Sequence, residues 1–459
     1  MSKKTSWEKE RLENTNLQIG LIPLARTTFD IDLANDILEH TRIELDAAGF
    51  TLHGPDTLIT NVNELRQSIE PLLSADLDLI VILQTTFADS TMLNLLADNF
   101  DIPFLLWSVP EPPTGERLRL NSFCGINLAA HSLTLRGHPY SYLYTDPQDD
   151  QVIPKIKTFS AAARAYSRLG KATLGVLGDH PPGMDSCHLD AKLLQERLGI
   201  RIHRLELEST FKNVRNRPTS ELEPLYTELD GSLENLGTFD REKIYGTLSV
   251  FKSLEQLAEQ HHLDGLAVRC WPEFFTDLGC AACGALSMLS NRQVPCSCEA
   301  DANGTITQLI LGWLSGEPAF GTDIVYFNRE EDSIVLWHCG LAPLSMADPT
   351  FDPRAALHSN RQVPLVMEFP LKPGRVTLAR LSRAAGSLSL VVAGGEMLSA
   401  PLSFAGTSGV LRTDRPAEEV LDQLMLHGLE HHISLTYGDH QSALIMLAEW
   451  LNIPIIRLT

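Results

Sequence analysis

The chain has 459 residues, long for a single core and suited to two or three domains. Hydrophobic residues make up 44% and charged residues 21%, the balance of a soluble globular protein. The net charge of −21 argues against nucleic acid or an anionic membrane as partner.

Residues 1–16, MSKKTSWEKERLENTN, carry charges but no apolar core, so they do not read as a secretory signal. No apolar run approaches bilayer length. The expected compartment is the cytoplasm, where the eight cysteines stay reduced. LQIGLIPL (17–24) reads as a buried strand, and residues 31–50 as a helix with Gly49 near its end. LDLIVILQ (77–84) and IPFLLWSV (102–109) are further apolar strands. This is the rhythm of a parallel sheet covered by helices, and a first α/β domain is expected over 1–160. A helix over 150–169 leads into a second alternation.

KATLGVLG (171–178) and IRIHRLEL (200–207) are strands flanking a helix at 190–199. Helices near 219–236 and 240–261 follow, then the strand DGLAVRC (264–270). A helix over 274–290 and the strand VPCSCEA (294–300) lead to an amphipathic helix, ITQLILGWL (306–314). These elements predict a second doubly wound domain over 161–318. Neither section has a GxGxxG after its first strand, so neither reads as a dinucleotide site. From residue 319 short strands alternate with Pro, Gly, Asp and Ser: TDIVYFN, SIVLWHCG, PLVMEFP, RVTLARLS and LSLVVAGGEM. That texture predicts a β-rich, barrel-like domain over 319–459. The long loop-rich stretch 341–362 inside it is of the kind that often serves function. HHISLTYG, a helix over 440–452 and a last strand, IPIIRL, close the chain.

Carboxylates collect at the ends of two predicted strands. Glu299 and Asp301 follow VPCSC, and Glu273 follows DGLAVRCWP. Each has an ordinary explanation. Asp301 precedes a helix and suits an N-cap, and Glu273 follows Pro272 where a helix would start. Three such residues at the carboxyl ends of successive strands should nevertheless face one crevice. Their oxygens suit a hard divalent cation. His338, His431 and His432 lie at strand ends and could complete a metal site, but residue type does not choose among them. Cys280 and Cys283 form a CxxC, and Cys296 and Cys298 a CxC. A zinc reading of the four is weighed against small buried hydrophobes in apolar surroundings, and the latter is favoured.

Two blocks, CEADANGTITQLILGWLSGEPAFGTDIVYF and HHISLTYGDHQSALIMLAEWLNIPI, resemble the L-fucose isomerase and L-arabinose isomerase superfamily. The resemblance extends more thinly over most of the chain. It implies metal ligands Glu273, Asp301 and His432, with Glu299 an alternative or additional ligand. His431 resembles a substrate-contacting position, and His338 aligns loosely with one. NLAAHS with His131, QTTFADS with Gln84, and Arg26 after the first strand resemble N-terminal residues that help close a neighbouring subunit's site. The resemblance therefore implies a homo-oligomer with shared sites, possibly a hexamer. The implied activity is an aldose–ketose isomerase using Mn²⁺, with Mg²⁺ or Co²⁺ also compatible. A proton would move between C1 and C2 of an open-chain sugar through a cis-enediol, with Glu273 and Asp301 as the proton-transfer carboxylates. The sugar is expected to be L-fucose, an arabinose, or a 6-substituted hexose such as a sulfosugar. A sulfosugar would need a cation, for which Arg26, Arg136 and Arg269 are candidates. The competing reading is a non-catalytic sugar-binding or regulatory protein on the same fold.

Overall fold

In the computed structural model, residues 17–459 are described, and the charged segment 1–16 lies outside them. The chain divides into two compact units, Met1–Arg168 and Leu169–Thr459. In the first unit, β1 (Gln18–Leu24), β2 (Thr51–His53), β3 (Leu79–Gln84), β4 (Phe104–Ser108) and β5 (Tyr140–Tyr144) form one sheet. Its order is β2-β1-β3-β4-β5 and every pairing is parallel. β3 and β4 are buried throughout, as is β1 beyond its first residue, because helices cover both faces. That is why they read as unbroken apolar runs. β2 and β5 are edge strands, partly exposed, and carry no such run. No helix among the described residues is long and apolar enough to cross a membrane.

The second unit opens with a smaller parallel sheet of β6 (Thr173–Leu177), β7 (Arg201–Leu205), β8 (Gly265–Val268) and β9 (Cys296–Ser297), in the order β7-β6-β8-β9. The helix expected over 274–290 is two helices, Glu273–Thr276 and Ala282–Asn291. Gly279 lies between them at φ +66°, a left-handed conformation that ends the first and re-aims the chain.

Antiparallel strands follow: β10 (Phe320–Asn328), β11 (Ser333–His338), β12 (Arg354–Ala356), β13 (Val366–Pro370), β14 (Gly374–Ser382), β15 (Ser389–Leu398), β16 (Thr407–Thr413) and β17 (His432–Tyr437), with a final β18 (Ile455–Arg457). Six of them close into an antiparallel barrel, β16-β11-β10-β17-β14-β15, because β15 pairs back to β16. Closure leaves those strands without a free edge. The fold is thus two parallel α/β sheets followed by a β-barrel, as the strand texture predicts.

One helix joins the last two layers. Ala302–Ser315 packs on β8 and β9 on one side and on β14 and β17 on the other. It is not amphipathic in place: residues 302–311 are all buried. Its buried threonines are bonded in the interior, Thr305 Oγ1 lying 2.6 Å from Ser297 Oγ. Thr307 accepts from the Leu381 N–H at 2.9 Å and donates to the Asn303 carbonyl. The sandwich places the N-terminus of this helix, and Asp301 with it, against the barrel.

Candidate active site

β9 ends in a sharp turn. Glu299 and Ala300 both hold left-handed backbone, φ +58° and +54°. Each such non-glycine residue costs about 1 kcal/mol or more. The turn is held by Ala300 N–H to the Val268 carbonyl at 3.0 Å and Asp301 N–H to the Cys298 carbonyl at 3.1 Å. Asp301 then caps the helix, its Oδ1 accepting from Gly304 N–H at 2.9 Å. The cap uses one oxygen only. Oδ2 meets the guanidinium of Arg380, from β14, at 2.5 Å and Nδ1 of His432, from β17, at 2.9 Å. Cap and site are therefore the same carboxylate.

Asp301 is wholly buried. Burial alone would raise its pKa, but the charge of Arg380 and the contacts from His432 outweigh burial and hold it far below the usual range. Burial likewise works against a charged His432. The Asp301 hydrogen bond and charge, with Asp323 adding to them, raise its pKa nonetheless. With Nδ1 occupied by Asp301, the second nitrogen, Nε2, points at other donors: Glu299 Oε2 at 3.9 Å, Asp323 Oδ1 at 3.6 Å and Cys298 Sγ at 3.7 Å. A histidine oriented by a carboxylate behind it is the usual arrangement of a metal-binding imidazole.

Glu299 accepts from Trp271 Nε1 at 3.1 Å and faces His431 Nε2 at 3.2 Å. His431 is anchored through Nδ1 to Ser186 Oγ at 2.9 Å. Burial raises the Glu299 pKa, but His431 and His432 bring it below the ordinary value, so the side chain is ionised. His338, at the end of β11, is buried. Its Nδ1 accepts from the Cys339 N–H at 2.9 Å, so its proton sits on Nε2, 3.0 Å from Cys298 Sγ. Burial lowers its pKa and keeps it neutral.

Glu299, His431, His432 and Cys187 present donor atoms within 4.8 Å of one another. Burial, then the charges of Asp301 and Glu299, push the Cys187 thiol up and keep it protonated. Asp323 Oδ1 is buried with no hydrogen-bond partner among the described residues and faces the same imidazole. One carboxylate, two imidazoles and a further carboxylate oxygen without a hydrogen bond fit a divalent metal ion. Glu299, His338, His431, His432 and Asp323 also line one cavity of 340 Å³, large enough for a hexose.

Not every expected residue joins this group. Glu273 starts its helix as expected, and its carboxylate is taken by Arg269, at 2.7 and 2.8 Å. Arg26, Gln84 and His131 belong to the first unit. Arg26 pairs with Asp89, His131 is exposed on the helix Ser122–Arg136, and the buried Gln84 amide has no hydrogen-bond partner among the described residues. The four cysteines of the zinc reading do not assemble. Cys283 lies beside Cys339 and His358, and Cys298 beside His338 and His432.

Asp323, Arg380 and Cys187 are absent from the sequence reading. Arg380 left a signal: a lone arginine within the apolar strand RVTLARLS implies a buried charge, and a buried charge requires a partner. Asp323 similarly interrupts an apolar strand, but its role depends on register, since β10 pairs Asp323 directly opposite His432.

Residues 20–170 match a family model described as the fucose/sulfoquinovose isomerase N-terminal domain, and residues 336–459 one described as the L-fucose isomerase C-terminal domain. The chain is 32% identical over 444 residues to the sulfoquinovose isomerases of Priestia aryabhattai and Priestia megaterium, covering 95% of this chain and 98% of each relative. It is 31% identical over 447 residues to the sulfoquinovose isomerase of Alkalicoccus urumqiensis, covering 96% of this chain and 99% of that protein.

Proposed function

The chain belongs to the L-fucose isomerase-like family, and from that premise we propose that it is a sugar isomerase interconverting a sulfonated aldose of the sulfoquinovose type and its ketose. The observation that carries the reading is the convergence of Glu299, His431 and His432 on one cavity, with Asp301 fixed behind His432. A purely sugar-binding protein has no need of that donor set.

The proposed holders of a divalent ion, Mn²⁺ by family expectation, are Glu299 and His432, with Asp323 and His431 beside them. When bound, such an ion would polarise the carbonyl and stabilise negative charge on the sugar oxygens. The rest is done by the chain. Asp301 fixes the His432 ring so that Nε2 faces the cavity. His431 and His432 hold the Glu299 carboxylate ionised, and Trp271 helps hold it in place to accept a proton from the carbon beside the carbonyl. Glu273 is the second proposed proton-transfer group, on the family resemblance. Asp301, saturated by Arg380, His432 and the helix cap, serves as the group that positions His432 rather than as a base. Proton return to the adjacent carbon of a cis-enediol completes the isomerisation.

The proposed setting is cytoplasmic. The proposed assembly is a homo-oligomer in which Arg26, Gln84 and His131 of one subunit approach the site of another. The family resemblance supports that part. The test of the whole reading is incubation of the purified protein with sulfoquinovose in D2O, with Mn²⁺ or after chelation, followed by NMR. Metal-dependent formation of the ketose with deuterium at the carbon next to the carbonyl is expected. Binding without turnover would favour the sugar-binding alternative.

A further inference from the structure

A sulfonated hexose carries its anion at the end of the molecule remote from the reacting carbons. The chain has a net charge of −21, and the cavity wall contributes Glu299 and Asp323. Such a surface repels a sulfonate unless a cation is placed to meet it. The three arginines suggested by sequence are all engaged by carboxylates: Arg26 by Asp89, Arg136 by Asp98 at 2.6 Å, and Arg269 by Glu273 at 2.7 Å.

Among the described residues one lysine or arginine lines the cavity that holds Glu299, His431 and His432, and it is Arg361. Among the described residues no carboxylate lies within ion-pair distance of it; its guanidinium sits 5.6 Å over the Phe275 ring, another wall residue. Arg361 belongs to the loop-rich stretch noted in the sequence, and that loop is closed on itself. His358 N–H donates to the Val363 carbonyl at 2.8 Å, and the His358 carbonyl accepts from Arg361 and Gln362 N–H at 3.1 and 2.8 Å. The closed loop also presents Asn360 to the same cavity.

We infer that Arg361 is the specificity-determining residue that binds the sulfonate, with Asn360 beside it, while Glu299 and His432 face the opposite, reacting end of the sugar. The inference rests on the sulfonated-sugar reading above. A planar guanidinium free of any carboxylate offers paired donors to a sulfonate, and an arginine stacked on a ring is pre-organised for that contact.

The test compares wild type, Arg361→Met and Arg361→Lys, each as the full chain with Mn²⁺, on sulfoquinovose and on 6-deoxyglucose, which has the same carbons without the sulfonate. Arg361→Met should lower kcat/KM for sulfoquinovose about 10- to 100-fold, mostly through KM, and leave the rate on 6-deoxyglucose unchanged. Arg361→Lys should recover part of the loss. In wild type, sulfoquinovose should also protect Arg361 from phenylglyoxal, read by peptide mass spectrometry. An equal loss on both sugars, or an unchanged preference, overturns the assignment while leaving the isomerase reading intact. Wild-type turnover of unsulfonated sugars only, with no protection by sulfoquinovose, overturns both the assignment and the sulfonated-sugar reading it rests on.

Discussion

Replacing Arg380 with methionine removes a charge from the interior while keeping a side chain of similar length. Arg380 is 3% exposed and Asp301 0%, and their Nη1–Oδ2 separation is 2.5 Å. Arg380 Nε also lies 3.8 Å from Glu430 Oε2, a buried oxygen with no hydrogen bond of its own among the described residues. Arg380→Met therefore takes the arginine partner from two buried carboxylates at once. Removing one partner of a buried ion pair costs about 3–5 kcal/mol, because the remaining charge keeps its desolvation penalty. For a unit of this size that corresponds to a fall in Tm of roughly 6–20 °C. Thermal unfolding followed by circular dichroism measures it. The double variant Arg380→Met/Asp301→Asn neutralises the main stranded charge and keeps a residue able to cap the helix. It should be more stable than the sum of the two single effects predicts, by about 1–3 kcal/mol. A shift under 2 °C for Arg380→Met, or strict additivity in the double variant, would refute the claim that this pair organises the site.

Gly304→Ala should destabilise by about 1–3 kcal/mol despite alanine's better helix propensity, because its Cβ would lie 2.4 Å from Asp301 Oδ2 and 3.0 Å from Arg380 Nη1. Gly312→Ala on the same helix, where the nearest atom is 3.6 Å away, should instead stabilise by about 0.5–1 kcal/mol; unfolding curves showing both changes with the same sign would contradict the packing described. Asp301 has a folded-state pKa held below its unfolded value of about 3.9, so its ionisation stabilises the protein above that pH, and the contribution drains away as pH falls toward the folded value. The Tm gap between wild type and Asp301→Asn should accordingly be widest near neutrality and narrow below about pH 4, and a gap constant from pH 7 to pH 3 would speak against it. Glu299→Gln should lower kcat at least about 100-fold with Tm held within a few degrees. Glu273→Gln is expected to lower turnover too with the fold retained, and full isomerase activity in either variant would remove that residue from the chemistry.

Much of the architecture was legible because burial writes itself into composition. β1, β3 and β4 are covered on both faces and read as apolar runs, whereas the edge strands β2 and β5 leave little trace. The barrel strands announced themselves through frequent turn residues. That they close was not legible, since closure lies in the pairing of β15 with β16, a matter of which edges meet. The helix Ala302–Ser315 was misjudged for the same reason. Polar residues such as Thr305 and Thr307 imply a wet face, and only the neighbouring layers show them bonded in the interior.

The acidic turn Glu299-Ala300-Asp301 stood out in the sequence by itself, as did the histidine pair at the start of β17. Local sequence can place a carboxylate at a strand end, because strand, turn and helix cap are short-range. It cannot divide the labour between two such carboxylates. That division came from residues far along the chain. Arg380 and His432 claim Asp301, while the register of β10 against β17 sets Asp323 opposite His432 and leaves Glu299 facing the cavity. Chain order determined which groups are available, and the packing of the barrel on the helix decided which of them are spent on structure and which are left free for chemistry.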